Sequence, residues 1–179
     1  LFSNLEELER LTKMVSDMLW LAKTQNGLIK AQQQVLQSDE EIDALLEYFD
    51  AVAEDANITF IKQGSNVEFY CEQLHFRQLL SNLLSNAIRY TPAGESITIS
   101  SERTGNDQVC IAVTNPGEKI AAEHLPYLFD RFYRADKSRQ RQGNGAGLGL
   151  AIVKALVTAN GGNIVVTSNA KVFFKHVKS

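Results

Sequence analysis

Cysteine, proline and long apolar runs are scarce in this sequence, and each scarcity excludes a class of protein. The 179 residues include only 2 cysteines, and Cys71 and Cys110 lie far apart without a CxxC spacing or a histidine pair beside them. We therefore expect neither a disulfide framework nor a zinc site. The longest apolar runs fall far short of the roughly 20 residues that a membrane-spanning helix needs. With 3 prolines and 44% hydrophobic residues, the composition is typical of a folded domain.

An excess of positive charge is also lacking. The 18 basic and 21 acidic residues give a formal net charge of -3, so no electrostatic argument favours nucleic acid as a partner. No signal segment opens the chain, and we expect this part of the protein to be cytosolic. The first residue is Leu1 rather than methionine and stands within a helical pattern, which predicts a piece of a longer protein.

The first 24 or so residues predict an amphipathic helix that is separate from the rest. Apolar residues recur there in steps of three and four, as in the seam of a helical bundle, namely Leu8, Leu11, Val15, Met18 and Ala22. No comparable segment nearby would cover this seam. We therefore expect partner helices, from a missing neighbour in the same chain or from a second subunit. Gly27 is expected to end the helix.

The remaining sequence predicts further helices interspersed with strands. Helices are expected from Ser38, where Ser38 and Glu41 fit a capping box, over Leu74 to Tyr90 and over Leu148 to Thr158, with a short helical run in Ala121 to Phe132. Strands are expected at Ile58 to Ile61, Val67 to Cys71, Ile97 to Ser101, Val109 to Thr114, Ile164 to Thr167 and Val172 to Val177. This pattern predicts an α+β fold in which helices and a sheet form a sandwich.

The predicted helix that ends at Tyr90 carries two asparagine side chains beside its apolar face. Asn82 and Asn86 are one turn apart on a helix that also has a long apolar face, and Arg89 and Tyr90 extend their side. One interpretation is that both amides bond to neighbouring backbone. The other is that an asparagine carbonyl binds Mg²⁺, with arginine near phosphate and tyrosine against a base. Because Mg²⁺ needs only one or two protein oxygens, the pair alone favours the first interpretation.

The segment between Pro116 and Gly149 is glycine-rich, basic and irregular, and so long a loop is usually functional. Its end, GNGAGLGL, has alternate glycines directly before a predicted helix. Such glycines expose backbone amides at a helix N-terminus, which favours an anion such as phosphate. The alternative is a flexible surface loop. The arginines before the glycines could add positive charge or form a solvated basic loop; they are Arg131, Arg134, Arg139 and Arg141.

Five motifs in one order resemble the sensor histidine kinase family. They are Asn82 to Ala87, Asn115 to Gly117, Leu128 to Phe132, the glycine-rich GNGAGLGLAIV, and Gly161 to Ile164, which look like that family's N, G1, F, G2 and G3 boxes. The resemblance implies a two-layer α/β sandwich with a mixed sheet, helices on one face and a long ATP lid at about residues 116 to 147. It also implies that residues 1–26 are the second helix of a dimerisation stem and that residues 27–179 form the catalytic domain.

The resemblance implies a role for each matching residue. Asn86 would be the Mg²⁺ ligand, with Asn82 beside it in the metal and phosphate site, and these two would be the catalytic pair. The remaining expected ATP contacts are Arg89, Tyr90, Asn115, Gly117, Phe129, Arg134, Gly145, Gly147, Leu148 and Gly149. Asn115 would read adenine, Phe129 and Phe132 would anchor the lid, and the glycines would present amides to phosphate. The expected cofactors are therefore ATP and Mg²⁺.

Partners and location also follow from the resemblance. It implies phosphoryl transfer from ATP to a histidine on the stem and then to an aspartate of a response regulator, within a homodimer whose parent lies in a bacterial inner membrane. The NPG sequence at Asn115, where the family commonly has DxGxG, suggests a copper- or oxidant-responsive sensor. None of His75, His124 and His176 has the family's phosphoacceptor context, so this chain is expected to lack the acceptor. His75 is expected to pack or to lie on the surface.

Departures from the family pattern keep two other functions open. Related ATP hydrolases place a glutamate where this sequence has Asn82, and an amide cannot act as a general base for water, so we expect negligible ATP hydrolysis. Asn115 for aspartate and Lys119 for glycine would suit a regulatory dimerisation module that binds no nucleotide. The retained asparagine pair and lid glycines argue against that module, because glycines cost conformational entropy. The C-terminal NAKVFFKHVKS also departs from the family, which leaves its strand register open.

Overall fold

The computed structural model describes residues 2–25, 30–116, 123–130, 149–167, 169–175 and 177. In chain order its elements are α1 (Phe2–Gln25), β1 (Gln34–Gln37), α2 (Ser38–Asp55), β2 (Thr59–Gly64), β3 (Glu68–Cys71), α3 (Gln73–Tyr90), β4 (Ser96–Thr104), β5 (Gln108–Thr114), a 3₁₀ turn (Leu125–Tyr127), α4 (Gly149–Ala159), β6 (Asn163–Val166) and β7 (Asn169–Lys175).

The main sheet is mixed and has five strands in the order β2, β4, β5, β7 and β6. β2 pairs in parallel with β4, whereas the other neighbours are antiparallel. β1 and β3 form a separate antiparallel pair. The predicted α+β class and mixed sheet are therefore confirmed. β2 and β3, predicted as strands around the turn at Gly64, are both strands but belong to different sheets.

One face of the sheet and the facing sides of α2, α3 and α4 form the core. Ile99, Ile111 and Val172 lie on neighbouring strands, are fully buried and point to the same face, since each strand alternates its side chains. Burying one such side chain contributes about 1.5 to 3 kcal/mol. Phe76 of α3 adds an aromatic contact with Phe174 of β7, whose ring centroid is 5.8 Å away. This core fixes α3 against the sheet.

The start of α2 differs from the predicted capping box. The helix begins at Ser38 as expected, but the Ser38 hydroxyl accepts a hydrogen bond from the Val67 N–H at 2.9 Å, and Asn66 Oδ1 accepts from the Asp39 N–H at 3.1 Å. Glu41, only 3% exposed, instead accepts a hydrogen bond from Arg77 of α3 at 2.9 Å. The capping box was wrong because a turn distant in sequence supplies the cap.

One strand was not predicted, and one further local prediction needs correction. The short linking stretch before α2 contains the strand β1. Within residues 123–130 the expected helical run at 121–132 is a 3₁₀ turn, Leu125–Tyr127, and its ends lie outside the described residues. Gly161 follows α4 with a φ of 71°, a left-handed conformation that ends helices.

The amphipathic helix α1 touches the rest of the chain only through part of its surface. Leu21 is 4% exposed, and Met14 and Trp20 pack partly buried against the core. The predicted seam is uncovered along most of its length, since Leu8 and Val15 are exposed. Among the described residues, no helix combines the length and apolarity that crossing a membrane requires.

Candidate functional site

Helices α3 and α4 pack against each other, and the contact between the start of α3 and the end of α4 indicates that they run in opposite directions. The start of α3 meets the end of α4, because Asn160 Oδ1 accepts a hydrogen bond from the Glu72 N–H at 2.9 Å. We call this the stem end of the helix pair. The C-terminal half of α3 and the start of α4 therefore lie at the opposite end, which we call the site end.

The packing of the helix pair brings Gly149 towards the half of α3 that contains the asparagine pair. α4 has 11 residues and is therefore roughly 16 Å long at about 1.5 Å per residue. Its end lies beside Glu72, so its start lies towards the C-terminal half of α3, which contains Asn82 and Asn86. The positive end of the α4 dipole thus faces the same region as these amides.

The strand connections bring Asn115 to the site end as well. β4 starts after the short turn that follows α3, and β5 runs back along it, with Thr98 paired to Thr114. Asn115 follows Thr114 directly and is half-buried. Its side-chain amide makes one weak contact, 3.5 Å from the Pro116 carbonyl oxygen. Its position fits the predicted role of contacting a ligand held at this end.

Asn82 and Asn86 are half-buried at the edge of the apolar face of α3, next to the buried Leu83 and Ala87. Among the residues that the structure describes, none forms a hydrogen bond to either amide side chain. The interpretation that both amides bond to neighbouring backbone therefore has no support in that part of the chain. Amide groups without such partners remain available to a ligand.

Arg89 and Tyr90 continue the same side of α3. A helix turns by about 100° per residue, so the side chains of these two residues and of the two asparagines fall within an arc of about 100° around α3. Arg89 is exposed in the last turn, and within the described ranges it forms no ion pair. Tyr90 is half-buried. A cation, two amides and an aromatic ring on one side of a helix suit a phosphate ester attached to a flat heterocycle.

Phe129 lies against α4, where the Lys154 ammonium is 5.3 Å from its ring centroid. The neighbouring Leu128 is buried at 8% exposure. Both contacts fix this segment to the domain, in line with the predicted anchoring role. Several predicted site residues lie outside the described residues; they are Gly117, Arg134, Gly145, Gly147 and Leu148, together with Phe132 and the other lid arginines.

The described residues fit a magnesium ion better than a transition metal. They contain no group of three or more histidine, cysteine or acidic residues that could hold a metal. Both cysteines are buried, and desolvation raises the pKa of the Cys71 thiol to about 12, which disfavours the thiolate that a metal would bind. Mg²⁺ needs only one or two protein oxygens. The side-chain carbonyl groups of Asn82 and Asn86, which bond to none of the described residues, can supply them.

The stem end holds polar residues that sequence reasoning missed or left without a role. Asn160 is 2% exposed and His75 is 8% exposed, and Asn160 Nδ2 lies 3.1 Å from His75 Nδ1. His75 was expected to pack or to lie on the surface, and it packs. No role was predicted for Asn160. A polar residue between an apolar helix and a Gly-Gly pair is nevertheless a signal for a buried helix cap.

Comparisons with known proteins give matches over most of the chain. A family described as "Histidine kinase-, DNA gyrase B-, and HSP90-like ATPase" matches residues 71–177. Sensor histidine kinase CusS of Escherichia coli O157:H7 is 49% identical over 171 residues, which are 96% of this chain and 35% of the relative. The probable sensor kinase SilS of Salmonella typhimurium is 44% identical over 173 residues, covering 94% of this chain and 35% of that relative.

A solved structure is also similar over nearly the whole chain. The histidine kinase AdeS of Acinetobacter baumannii matches with a TM-score of 0.78 and 26% identity, covering 97% of this chain and 81% of that one. The chain nevertheless spans only about a third of the length of the two curated relatives, 35% in each case.

Proposed function

Because the chain belongs to the histidine kinase-, DNA gyrase B-, and HSP90-like ATPase family, we propose that it is the ATP-binding catalytic portion of a sensor histidine kinase. The resemblance inferred from its five motifs is confirmed by that match and by relatives named as sensor kinases. The domain division is part of the proposal: residues 1–26 form one helix of a dimerisation stem, and residues 27–179 form the catalytic domain with a lid at about residues 116 to 147.

The free amide groups of Asn82 and Asn86 carry this proposal. They lie at the site end, half-buried, with no hydrogen bond from the described residues. An amide left without a partner costs about 1 to 3 kcal/mol if water cannot reach it. A ligand that uses both amides explains why this helix keeps asparagine at positions where leucine would pack. Asn86 would bind Mg²⁺, and Asn82 would lie beside it in the metal and phosphate site.

The other ATP contacts are those that the family resemblance implies. Arg89 would bind phosphate, Tyr90 would lie beside the base, Asn115 would read adenine, and Gly149 would offer its backbone at the start of α4. Phe129, together with residues outside the described ranges (Gly117, Arg134, Gly145, Gly147 and Leu148), would complete the site. Bound Mg²⁺ would neutralise charge on the phosphates, and the residues of this chain would orient them, as phosphoryl transfer requires.

The acceptor and the partners lie beyond this chain. The γ-phosphoryl group would pass to a histidine of the dimerisation stem and then to an aspartate of a response regulator. The exposed seam of α1 would pair with other stem helices in a homodimer, and the parent would lie in a bacterial inner membrane. Response to copper or to an oxidant stays a prediction.

Hydrolysis of ATP by the same fold is the second candidate, and Asn82 argues against it. A hydrolase needs a base to activate water, and an asparagine amide has no basic group. We expect ATP turnover at the background level of a chain heated to unfold it. Turnover typical of a dedicated ATPase, abolished by Asn82→Ala, would replace the kinase assignment with a hydrolase.

Calorimetric titration with ATP, with and without Mg²⁺, tests the proposal. The unaltered chain should bind ATP only when Mg²⁺ is present, and Asn86→Ala should lose that binding while its far-UV circular dichroism and thermal unfolding stay unchanged. The matched control is Asn106→Ala, because Asn106 is exposed in the turn between β4 and β5, away from the site end. This variant should bind ATP normally. A folded chain that binds no ATP would favour the regulatory dimerisation module.

A further inference from the structure

A cluster of side chains with a buried polar pair at its centre, His75 and Asn160, occupies the stem end of the helix pair. We define the stem cluster as Trp20, Gln33, Glu72, His75 and Asn160. It joins four parts of the chain, because Trp20 belongs to α1, Gln33 to the linker before β1, Glu72 and His75 to the start of α3, and Asn160 to the end of α4. None of these residues takes part in the proposed ATP site.

The partners of Asn160 fix the orientation of its amide. Its Oδ1 accepts from the Glu72 N–H at 2.9 Å, and its Nδ2 donates to the Leu156 carbonyl oxygen at 2.8 Å. A backbone N–H can only donate and a carbonyl can only accept, so the amide cannot be flipped. The second Nδ2 hydrogen is then available to His75, whose Nδ1 is 3.1 Å away.

His75 Nδ1 must therefore be the acceptor, with the ring proton on Nε2. Glu72 Oε2 lies 3.5 Å from the same nitrogen, but an unprotonated nitrogen has no hydrogen to donate, and the distance is too long for a hydrogen bond. That carboxylate is instead bonded to the Gln32 N–H at 2.8 Å. Asn160 thus determines both the tautomer and the ring position of His75.

The His75 ring contacts helix α1, and a neighbouring hydrogen bond holds the linker that follows α1. The Trp20 ring meets the His75 ring edge to face, with centroids 6.3 Å apart and an interplanar angle of 87°. Gln33 Nε2 donates to the Asn160 carbonyl oxygen at 2.6 Å. Most of α1 lies exposed, so its position on the domain depends on Met14, Trp20, Leu21 and the linker bonds.

We propose that His75, held by Asn160, is a positioning residue that seats α1 on the ATP-binding domain through Trp20. The cluster fixes one orientation of the stem relative to α3 and α4, the two helices that carry the candidate site at their other end. The functional meaning rests on the proposed function, since phosphoryl transfer to a stem histidine depends on that orientation. The structural claim does not depend on ATP binding.

Two substitutions of His75 separate its two contacts. His75→Asn keeps an acceptor oxygen near the position of Nδ1 and removes the ring on which Trp20 rests. His75→Phe keeps a ring and leaves one Asn160 N–H unpaired. The structure therefore predicts that His75→Asn releases α1 with the domain intact, whereas His75→Phe keeps α1 seated and lowers the temperature of domain unfolding.

Trp20 reports the outcome, because it is the 1 tryptophan in the sequence. In His75→Asn its fluorescence should shift to longer wavelength, and amide hydrogens in the last turns of α1 should exchange about tenfold faster, as loss of an aromatic pair permits. In His75→Phe both should match the unaltered chain. Affinity for Mg²⁺ and ATP should stay within about twofold in His75→Asn, because the site end is remote.

Two further variants keep the test decisive. Leu19→Ala removes an exposed apolar residue next to Trp20 and should leave fluorescence and exchange unchanged. Trp20→Leu should raise exchange in α1 without affecting the domain, even if His75→Asn does not fold. Three results would overturn the proposal. The first is unchanged fluorescence and exchange in folded His75→Asn, and the second is the same fluorescence shift in Leu19→Ala. The third is a more than tenfold change in ATP affinity in His75→Asn. Failure of the unaltered chain to bind ATP would overturn the proposed function alone.

Discussion

The two ends of the α3 and α4 pair use asparagine in opposite ways. At the stem end Asn160 is 2% exposed, and its side chain uses its oxygen and both amide hydrogens within the fold. At the site end Asn82 and Asn86 are half-buried and bond to none of the described residues. The residue type is the same, and only the surroundings differ.

This contrast separates a structural role from a functional one. A buried amide with all its hydrogen bonds made stabilises the fold, because removing it leaves each partner without a bond. An amide whose bonds are not made within the fold adds little to stability and is available for a ligand. Substitutions at the stem end should therefore change stability, and substitutions at the site end should change ATP affinity.

The largest change in stability is expected from a glycine substitution at the stem end, compared with one at the site end. A Cβ at Gly162 would overlap the Phe173 backbone oxygen, whereas one at Gly149 would meet no atom of the described residues within 4 Å. Gly162→Ala should lower the free energy of unfolding by about 2 to 4 kcal/mol, a typical cost of a steric conflict in a packed region. Urea unfolding monitored by circular dichroism measures this effect.

Gly149→Ala is the matched variant at the site end. It should change the free energy of unfolding by less than about 1 kcal/mol, since alanine is a better helix former than glycine. ATP affinity should fall nevertheless, because the added methyl group stands where the backbone is proposed to approach phosphate. Equal stability losses in the two glycine variants would remove the contrast between the ends.

A smaller effect is expected for Asn115→Asp at the site end. A carboxylate accepts a hydrogen bond about twice as strongly as an amide does, so ATP should bind a few times more tightly with unchanged stability. Calorimetry with ATP and with GTP measures this, since GTP lacks the adenine amino group and should gain nothing. An equal gain for both nucleotides would place Asn115 away from the base.

Periodicity in the sequence was enough to predict the helices. α1 was expected at Leu1 to Thr24 and lies at Phe2–Gln25, and α3 was expected at Leu74 to Tyr90 and lies at Gln73–Tyr90. Both have long apolar stripes whose period is set by helix geometry alone. The motif order also predicted the family, which is confirmed. The roles of individual site residues remain predictions.

The remaining features depend on contacts between distant parts of the chain. β1 is a short strand with glutamine at both ends, and it is a strand only because β3 pairs with it. The capping box at Ser38 failed because Asn66 and Val67 supply the bonds. Asn160 has a role only through Glu72 and His75, which lie 88 and 85 residues away in the chain. Neither hydrophobic period nor local motif encodes such pairings.

The most direct test of the contrast is a crossed measurement on Asn86→Ala and Asn160→Ala. Each variant is unfolded with urea and, when folded, titrated with ATP in the presence of Mg²⁺. We predict that Asn86→Ala loses ATP binding while its free energy of unfolding stays within about 0.5 kcal/mol. Asn160→Ala should lose about 2 to 4 kcal/mol, because several buried groups lose their partner, and should keep its ATP affinity within about twofold. Loss of stability in Asn86→Ala, or loss of ATP binding by folded Asn160→Ala, would contradict the account.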